Sequence, residues 1–263
     1  MKKINLHSEP LDSTSSSEVL VELRNVKKSF GTNQVLRGVN LQLFPHENVV
    51  ILGKSGSGKS VLIKCLVGLL DVDEGEVLVL GKSIPELSQS DLDYIRTEVG
   101  FLFQGSALYD SMTVRENLQF PLRRHPERKL GANEEQLIRD ALRNVGLEHA
   151  IDLMPAELSG GMKRRVALAR TLILKPRIIL YDEPTTGLDP ITANEIIQLI
   201  LQIQKDYDTA SLIITHDMDC ARVISNRMVI LQDGINYAEG TYHSLSQSDD
   251  PKVKAFFKEV QNR

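Results

Sequence analysis

Gly53-Lys54-Ser55-Gly56-Ser57-Gly58-Lys59-Ser60 is the segment of this 263-residue chain whose residue types and spacing most constrain its chemistry. It fits GxxxxGK[ST], with the apolar run Asn48-Val49-Val50-Ile51-Leu52 before it and a helix-forming stretch, Lys59 to Leu70, after it. The glycines let backbone N–H groups turn inward without side-chain clash. Those groups, with the positive end of the following helix, make a cradle for phosphate oxygens. Lys59 is placed to set its ammonium on β- and γ-phosphates, and Ser60 to offer a hydroxyl to Mg²⁺. A phosphate loop also needs a carboxylate for its metal. Asp182-Glu183 closes the apolar run Ile178-Ile179-Leu180-Tyr181, and the C-terminal end of a buried parallel strand is where α/β sheets bind ligands. Asp182 is the expected Mg²⁺ partner, directly or through water. Glu183 is the expected general base toward a water in line with the γ-phosphate.

The elements that must hold these residues read as strands alternating with helices. Val19 to Leu23, Val39 to Leu43 and Glu76 to Gly81 read as strands, with a turn at Gly31-Thr32-Asn33. Arg177 to Tyr181, Ala210 to Ile214 and Met228 to Leu231 are further strands, separated by helices over Met162 to Leu174 and Ile191 to Lys205. This alternation predicts an α/β fold with a mostly parallel sheet. From about Leu87 to Leu158 the chain is richer in charge and reads mainly helical, for example over Asn133 to Val145. Its basic stretches, Arg123-Arg124-His125 and Arg128-Lys129, read as a solvated face. Residues 1–18 are polar and serine-rich and read as a flexible tail.

The whole-chain properties exclude several roles. The net charge of −4 gives no overall basic field, so no nucleic-acid partner is expected. Cys65 and Cys220 are the only cysteines and are far apart, which argues against a zinc site and a disulfide framework. They read as buried thiols in a reducing compartment. No run of eighteen apolar residues is present, and the N-terminus lacks the apolar core of a secretory signal. Any membrane role is therefore expected to come through a partner.

Further motifs stand in order around these residues. Leu158-Ser159-Gly160-Gly161-Met162 resembles the LSGGQ signature of ABC ATPases and lies upstream of Asp182-Glu183, as that family requires. Gln104 resembles the family's Q-loop glutamine, Gly187-Leu188-Asp189 its D-loop, His216 its switch histidine and Phe30 its adenine-stacking aromatic. The resemblance runs from Val19 to the C-terminus. It implies a P-loop NTPase fold over residues 19–263, with a mostly parallel core sheet, an N-terminal antiparallel β subdomain and an inserted helical subdomain at about 105–160. It implies ATP and Mg²⁺ as cofactors, with Gln104 sensing Mg²⁺ and the attacking water, and His216 holding the γ-phosphate and orienting Glu183 and water. A signature loop at a helix start is a second anion cradle. In the family a partner chain supplies it, so the resemblance implies that Ser159, Gly160, Gly161 and Asp189 meet the ATP of a second copy in a sandwich dimer.

Met162 replaces the signature glutamine. With the segment from Phe103 to Asn117, Phe120-Pro121-Leu122, and Ser248-Asp249-Asp250-Pro251 followed by Val253 and Phe256-Phe257, it resembles the Mla-type (Mkl) ATPases. That implies bacterial phospholipid transport beside a transmembrane permease and an MCE-domain lipid-binding protein, on the cytoplasmic face of the inner membrane. Residues 105–120 would carry the permease contact. The alternatives are another ABC importer or exporter, a non-transport ABC ATPase working on DNA or iron–sulfur assembly, and an ATP-binding clamp without turnover. The presence of Lys59, Asp182, Glu183 and His216 argues against the last.

Overall fold

The computed structural model describes residues 18–126 and 133–261. Residues 1–17 of the expected tail, and Arg128 and Lys129 of the expected solvated face, lie outside them. Glu18 is described, and its carboxylate lies 3.0 Å from Arg177.

Strands β1 (Val21–Phe30) and β2 (Asn33–Leu43) form a hairpin, and β3 (Asn48–Leu52) leads through the glycine-rich loop into α1 (Lys59–Leu66). Strands β4 (Glu74–Val79) and β5 (Lys82–Ser83) complete the hairpin's sheet, in the antiparallel order β2-β1-β4-β5. Then come α2 (Gln89–Glu98), β6 (Val99–Leu102), α3 (Val114–Arg124), α4 (Glu134–Asn144) and α5 (Gly160–Leu172). The chain next alternates β7 (Ile178–Asp182), α6 (Pro190–Tyr207), β8 (Ala210–Thr215), α7 (Met218–Ile224) and β9 (Arg227–Gln232). It ends with β10 (Ile235–Gly240), α8 (Tyr242–Ser246) and α9 (Pro251–Gln261).

The second sheet has the order β10-β9-β3-β8-β7-β6, parallel throughout except for β10 at one edge. Every residue of β3 and β8 is buried, which is why these strands read as continuous apolar runs rather than alternating ones. Their side chains still alternate between two cores. Val49, Ile51, Leu212 and Ile214 face the core shared with α1 and the antiparallel sheet, while Val50, Leu52 and Ile213 face the core shared with α5, α6 and α7. Backbone and side-chain bonds between β2 and the β9–β10 hairpin join the two sheets, with Arg37 N donating to O of the turn residue Gly234 at 2.7 Å and Asn236 Nδ2 to Asn40 O at 2.6 Å.

Helix α1 ends at Leu66, not at Leu70 as its apolar pattern predicts. Gly68 takes φ +63°, a left-handed conformation that stops a helix at little cost only for glycine. Arg96 of α2 then donates to Val67 O and Gly68 O, both at 3.1 Å, satisfying carbonyls the helix leaves open. Both cysteines are buried, and burial pushes the Cys65 thiol up to about 11 and Cys220 to about 12, so neither is a reactive thiolate.

The loop between β6 and α3 is built around one side chain. Asn117 is fully buried; its Nδ2 donates to Tyr109 O, Met112 O and Thr113 O at 3.0–3.1 Å, and its Oδ1 accepts from Tyr109 N at 2.9 Å. Asn117→Ala leaves these backbone groups without that partner. The expected cost is about 2–3 kcal/mol, read as a thermal midpoint roughly 5–10 °C lower. An unchanged midpoint would mean that water replaces the amide freely.

Candidate active site

The glycine-rich loop sits at the C-terminal end of β3, in the middle of the parallel sheet. Gly56 and Gly58 take φ +80° and +102°. A Cβ on Gly58 would lie 2.8 Å from Leu36 Cδ2 and 3.1 Å from Val35 O, so the loop lies directly against β2. The same hairpin ends at Phe30, whose ring is 48% exposed. Lys59 opens α1 and is itself buried; its Nζ donates to Gly53 O at 2.7 Å and Lys54 O at 3.1 Å. The loop is thus wrapped around an ammonium whose pKa burial pulls down, while Glu183 and Asp182 oppose that pull. The start of α1 has no side-chain cap and no acidic residue in its first turn. Ser57 Oγ is buried with no hydrogen-bond partner. An anion held by this loop would take up all three loose ends: uncapped N–H groups, a buried cation and an unpaired hydroxyl. These observations fit a phosphate group.

Asp182 ends β7, and Glu183 follows in a left-handed conformation, φ +51°, with its N–H donating to Ile214 O at 2.8 Å. A non-glycine residue there stores strain that the surrounding structure must hold. Three contacts to its carboxylate fix Glu183 in place. Thr186 Oγ1 donates to Glu183 Oε2 at 3.0 Å, His216 N donates to it at 3.4 Å, and His216 Nδ1 lies 2.9 Å away. The Glu183 side chain is only 12% exposed, whereas His216 is 64% exposed. Asp182 is half-buried, and burial first, then the Glu183 charge, pushes its carboxyl above the usual range, against Lys59, Lys64 and Arg164. A half-buried carboxylate pair short of positive charge is a donor set that fits a divalent cation. The loops after β7 and β8 are tied further by Thr185 Oγ1 donating to Asp217 Oδ2 at 3.2 Å, and Asp217 caps α7.

Ser159 caps α5, accepting from Met162 N at 3.2 Å. Gly161 packs so closely on α6 that a Cβ would lie 2.5 Å from Thr192 Cγ2. Asp189 caps α6: Oδ1 accepts from Ile191 N and Thr192 N, and Oδ2 from Thr192 Oγ1 at 2.6 Å. Those bonds hold its carboxyl below the usual range. Ser159, Gly160, Gly161 and Asp189 therefore form one surface of two adjoining helix starts. Their close contacts run to Met162, Thr192 and Leu188, whereas Lys59 is held by its own loop. Lys54, Ser55 and Ser60 are exposed along the loop. Gln104 is exposed just after β6, and Phe103 O beside it accepts from Arg164 Nη1 at 2.8 Å. Sequence reasoning missed Arg164; within the run Lys163-Arg164-Arg165 nothing local marks one basic residue as buried.

Residues 36–186 match a sequence model described as "ABC transporter". A probable ribonucleotide transport ATP-binding protein, mkl, of Mycobacterium leprae is 40% identical over 238 residues, which cover 90% of this chain and 68% of that relative. The intermembrane phospholipid transport system ATP-binding protein MlaF of Haemophilus influenzae is 38% identical over 242 residues, covering 91% of this chain and 90% of the relative. The methionine import ATP-binding protein MetN of Clostridium tetani is 35% identical over 235 residues, covering 89% and 73%. Among solved structures, a dimeric ATP-binding cassette in a post-hydrolysis state with ADP and Pi superposes with a TM-score of 0.73 at 34% identity, covering 84% of this chain and 98% of that one.

Proposed function

This chain belongs to the ABC transporter family as an ATP-binding, ATP-hydrolysing subunit, and we propose that it powers phospholipid movement between bacterial membranes through a separate permease. The observation that carries the catalytic part is the Glu183 carboxylate, held by Thr186 and His216 at the end of β7 beside Asp182. The Gly53–Ser60 loop takes the phosphates of ATP, with Lys59 Nζ leaving its loop carbonyls for the β- and γ-phosphates. Phe30, exposed at the hairpin tip, stacks on the adenine. Glu183 takes a proton from the attacking water as that water's oxygen bonds to the γ-phosphorus and the bond to the β-γ bridging oxygen breaks. His216 steadies Glu183 and the γ-phosphate.

Mg²⁺ fits Ser60, Asp182 and Gln104, and when bound it supplies charge neutralisation on the phosphates. Among the described residues no cluster of three or more His, Cys, Asp or Glu could hold a metal alone. The Ser159–Gly161 and Asp189 surface faces a second copy of the chain across the nucleotide, so binding of two ATPs closes a dimer and hydrolysis releases it. The dimeric solved relative supports this arrangement.

No helix among the described residues is long and apolar enough to cross a membrane. In the transport reading the chain docks peripherally, on the cytoplasmic face of the inner membrane, through the permease. Residues 105–120, within a helical subdomain at about 105–160, make that contact. Tyr109 is 43% exposed, its ring 4.9 Å from Phe120, and Asn117 and Arg170 hold its loop rigid. The phospholipid cargo rests on the MlaF relative, which is named for intermembrane phospholipid transport, and the MCE-domain partner rests on the resemblance of the sequence to the Mla-type ATPases. The methionine-import relative favours a second reading, an importer for another cargo. The net charge of −4 supports the absence of a nucleic-acid partner.

A mild-detergent pull-down of the tagged chain from membranes separates these readings. A multi-span permease with an MCE-domain protein is expected. A different permease, or soluble partners alone, overturns the lipid reading. Tyr109→Ala is expected to lose the permease at least tenfold while ATP turnover by the isolated chain stays within twofold of native.

A further inference from the structure

We propose that Arg164 is a positioning residue for ATP hydrolysis: it holds the Gln104 loop and the loop after Glu183 in a fixed relation by gripping their backbones. Arg164 lies one turn into α5 and is only 4% exposed. Its Nη1 donates to Phe103 O at 2.8 Å and its Nη2 to Thr186 O at 3.4 Å. Phe103 immediately precedes Gln104. Thr186 is the residue whose hydroxyl donates to Glu183 Oε2 at 3.0 Å. One guanidinium therefore spans two loops that leave the sheet from neighbouring strands, β6 and β7, and each loop carries a group assigned to the reaction.

The energetics point the same way. A buried guanidinium is costly unless its donors are used, and an apolar side chain of like length would fill the space without that cost. Here the Nε has no partner, so Arg164 is under-satisfied for a purely structural residue. What it gains is the planar fork, whose two terminal nitrogens reach carbonyls of two separate loops, whereas a lysine would have to reach both from a single nitrogen. Arg170, further along α5, repeats the device: Nη1 donates to Ala107 O at 2.7 Å and Nη2 to Ser106 O at 3.0 Å. Ser106 and Ala107 take φ +63° and +47°, so that grip stabilises a strained pair. Gln104 is thus bracketed by two arginines of the helix that Ser159 caps. A shift of α5 must move Gln104 and disturb the Thr186–Glu183 bond together.

The inference rests on the roles given above to Gln104 and Glu183, so the test carries Glu183→Gln beside the Arg164 variants. Arg164→Met removes both donors and nearly keeps the volume. It is expected to lower kcat for ATP at least tenfold while KM for Mg-ATP stays within threefold, because the Lys59 loop is untouched. Amide hydrogen exchange is expected to quicken together at Gln104–Gly105 and Gly187–Leu188, but not at Gly56–Lys59. Arg164→Lys, with charge but no fork, is expected to fall between native and Met; it also carries the comparison should the Met variant melt below the assay temperature. Native kcat in Arg164→Met, or a loss expressed only in KM with unchanged exchange at both loops, overturns the proposal. If instead Glu183→Gln turns over at the native rate, the assignment of the site fails, whatever Arg164 does.

Discussion

Purified Glu183→Gln protein is expected to bind ATP with native affinity and to hydrolyse it at least ~100-fold more slowly, the contribution typical of a general base. The substitution is nearly isosteric. Its amide carbonyl can still accept from Thr186 Oγ1, now 3.0 Å from Oε2, so the loop keeps its shape. What the amide cannot do is take a proton. Because binding is kept and turnover stopped, Mg-ATP is also expected to shift the variant from monomer to dimer in light scattering, while native protein returns to monomer as ATP is consumed. A native rate in the variant would remove Glu183 from the chemistry, and a stalled variant that stays monomeric would count against the nucleotide sandwich.

Lys59→Ala is expected to weaken ATP binding roughly 100-fold or more and to leave no measurable turnover, from the loss of charge-assisted hydrogen bonds worth about 3 kcal/mol. The ammonium is buried and its pKa is pulled down by that burial, with only two loop carbonyls as partners. Phosphate charge relieves that situation, so binding energy comes from a cation already placed and largely desolvated. The fold should survive, because α1 keeps Leu62, Ile63 and Leu66 inside. Calorimetric titration with ATP reads the effect. An unchanged dissociation constant would mean that the loop holds something other than nucleotide phosphates.

The parts of the site legible in the sequence are those whose donors are contiguous. The Gly53–Ser60 loop is one run of backbone, so residue types and spacing determine its shape. Asp182-Glu183 is legible for a related reason: β7 is buried on both faces, so its apolar run ends where the acidic pair begins. Strands β3, β8 and β9 stand out equally well. Strand β6 does not. It is four residues long, pairs among the described residues only with β7, and contains Gly100, which Thr171 and Pro176 crowd too closely for a Cβ. A strand selected by a neighbour's shape leaves little pattern of its own.

The glycine-rich loop, the acidic strand end and the alternation of strands and helices can be read from the residues alone, because each is written in neighbouring residues and in burial repeated along a single element. No local pattern encodes the meeting of His216 with Glu183 across 33 positions, which the family resemblance implies and which depends on β7 and β8 lying side by side. The tertiary structure alone decided that Arg164, between two other basic residues, would turn inward. Which charge is buried depends on the rotation of α5 against β6 and β7, and rotation is set by the packing of the whole core.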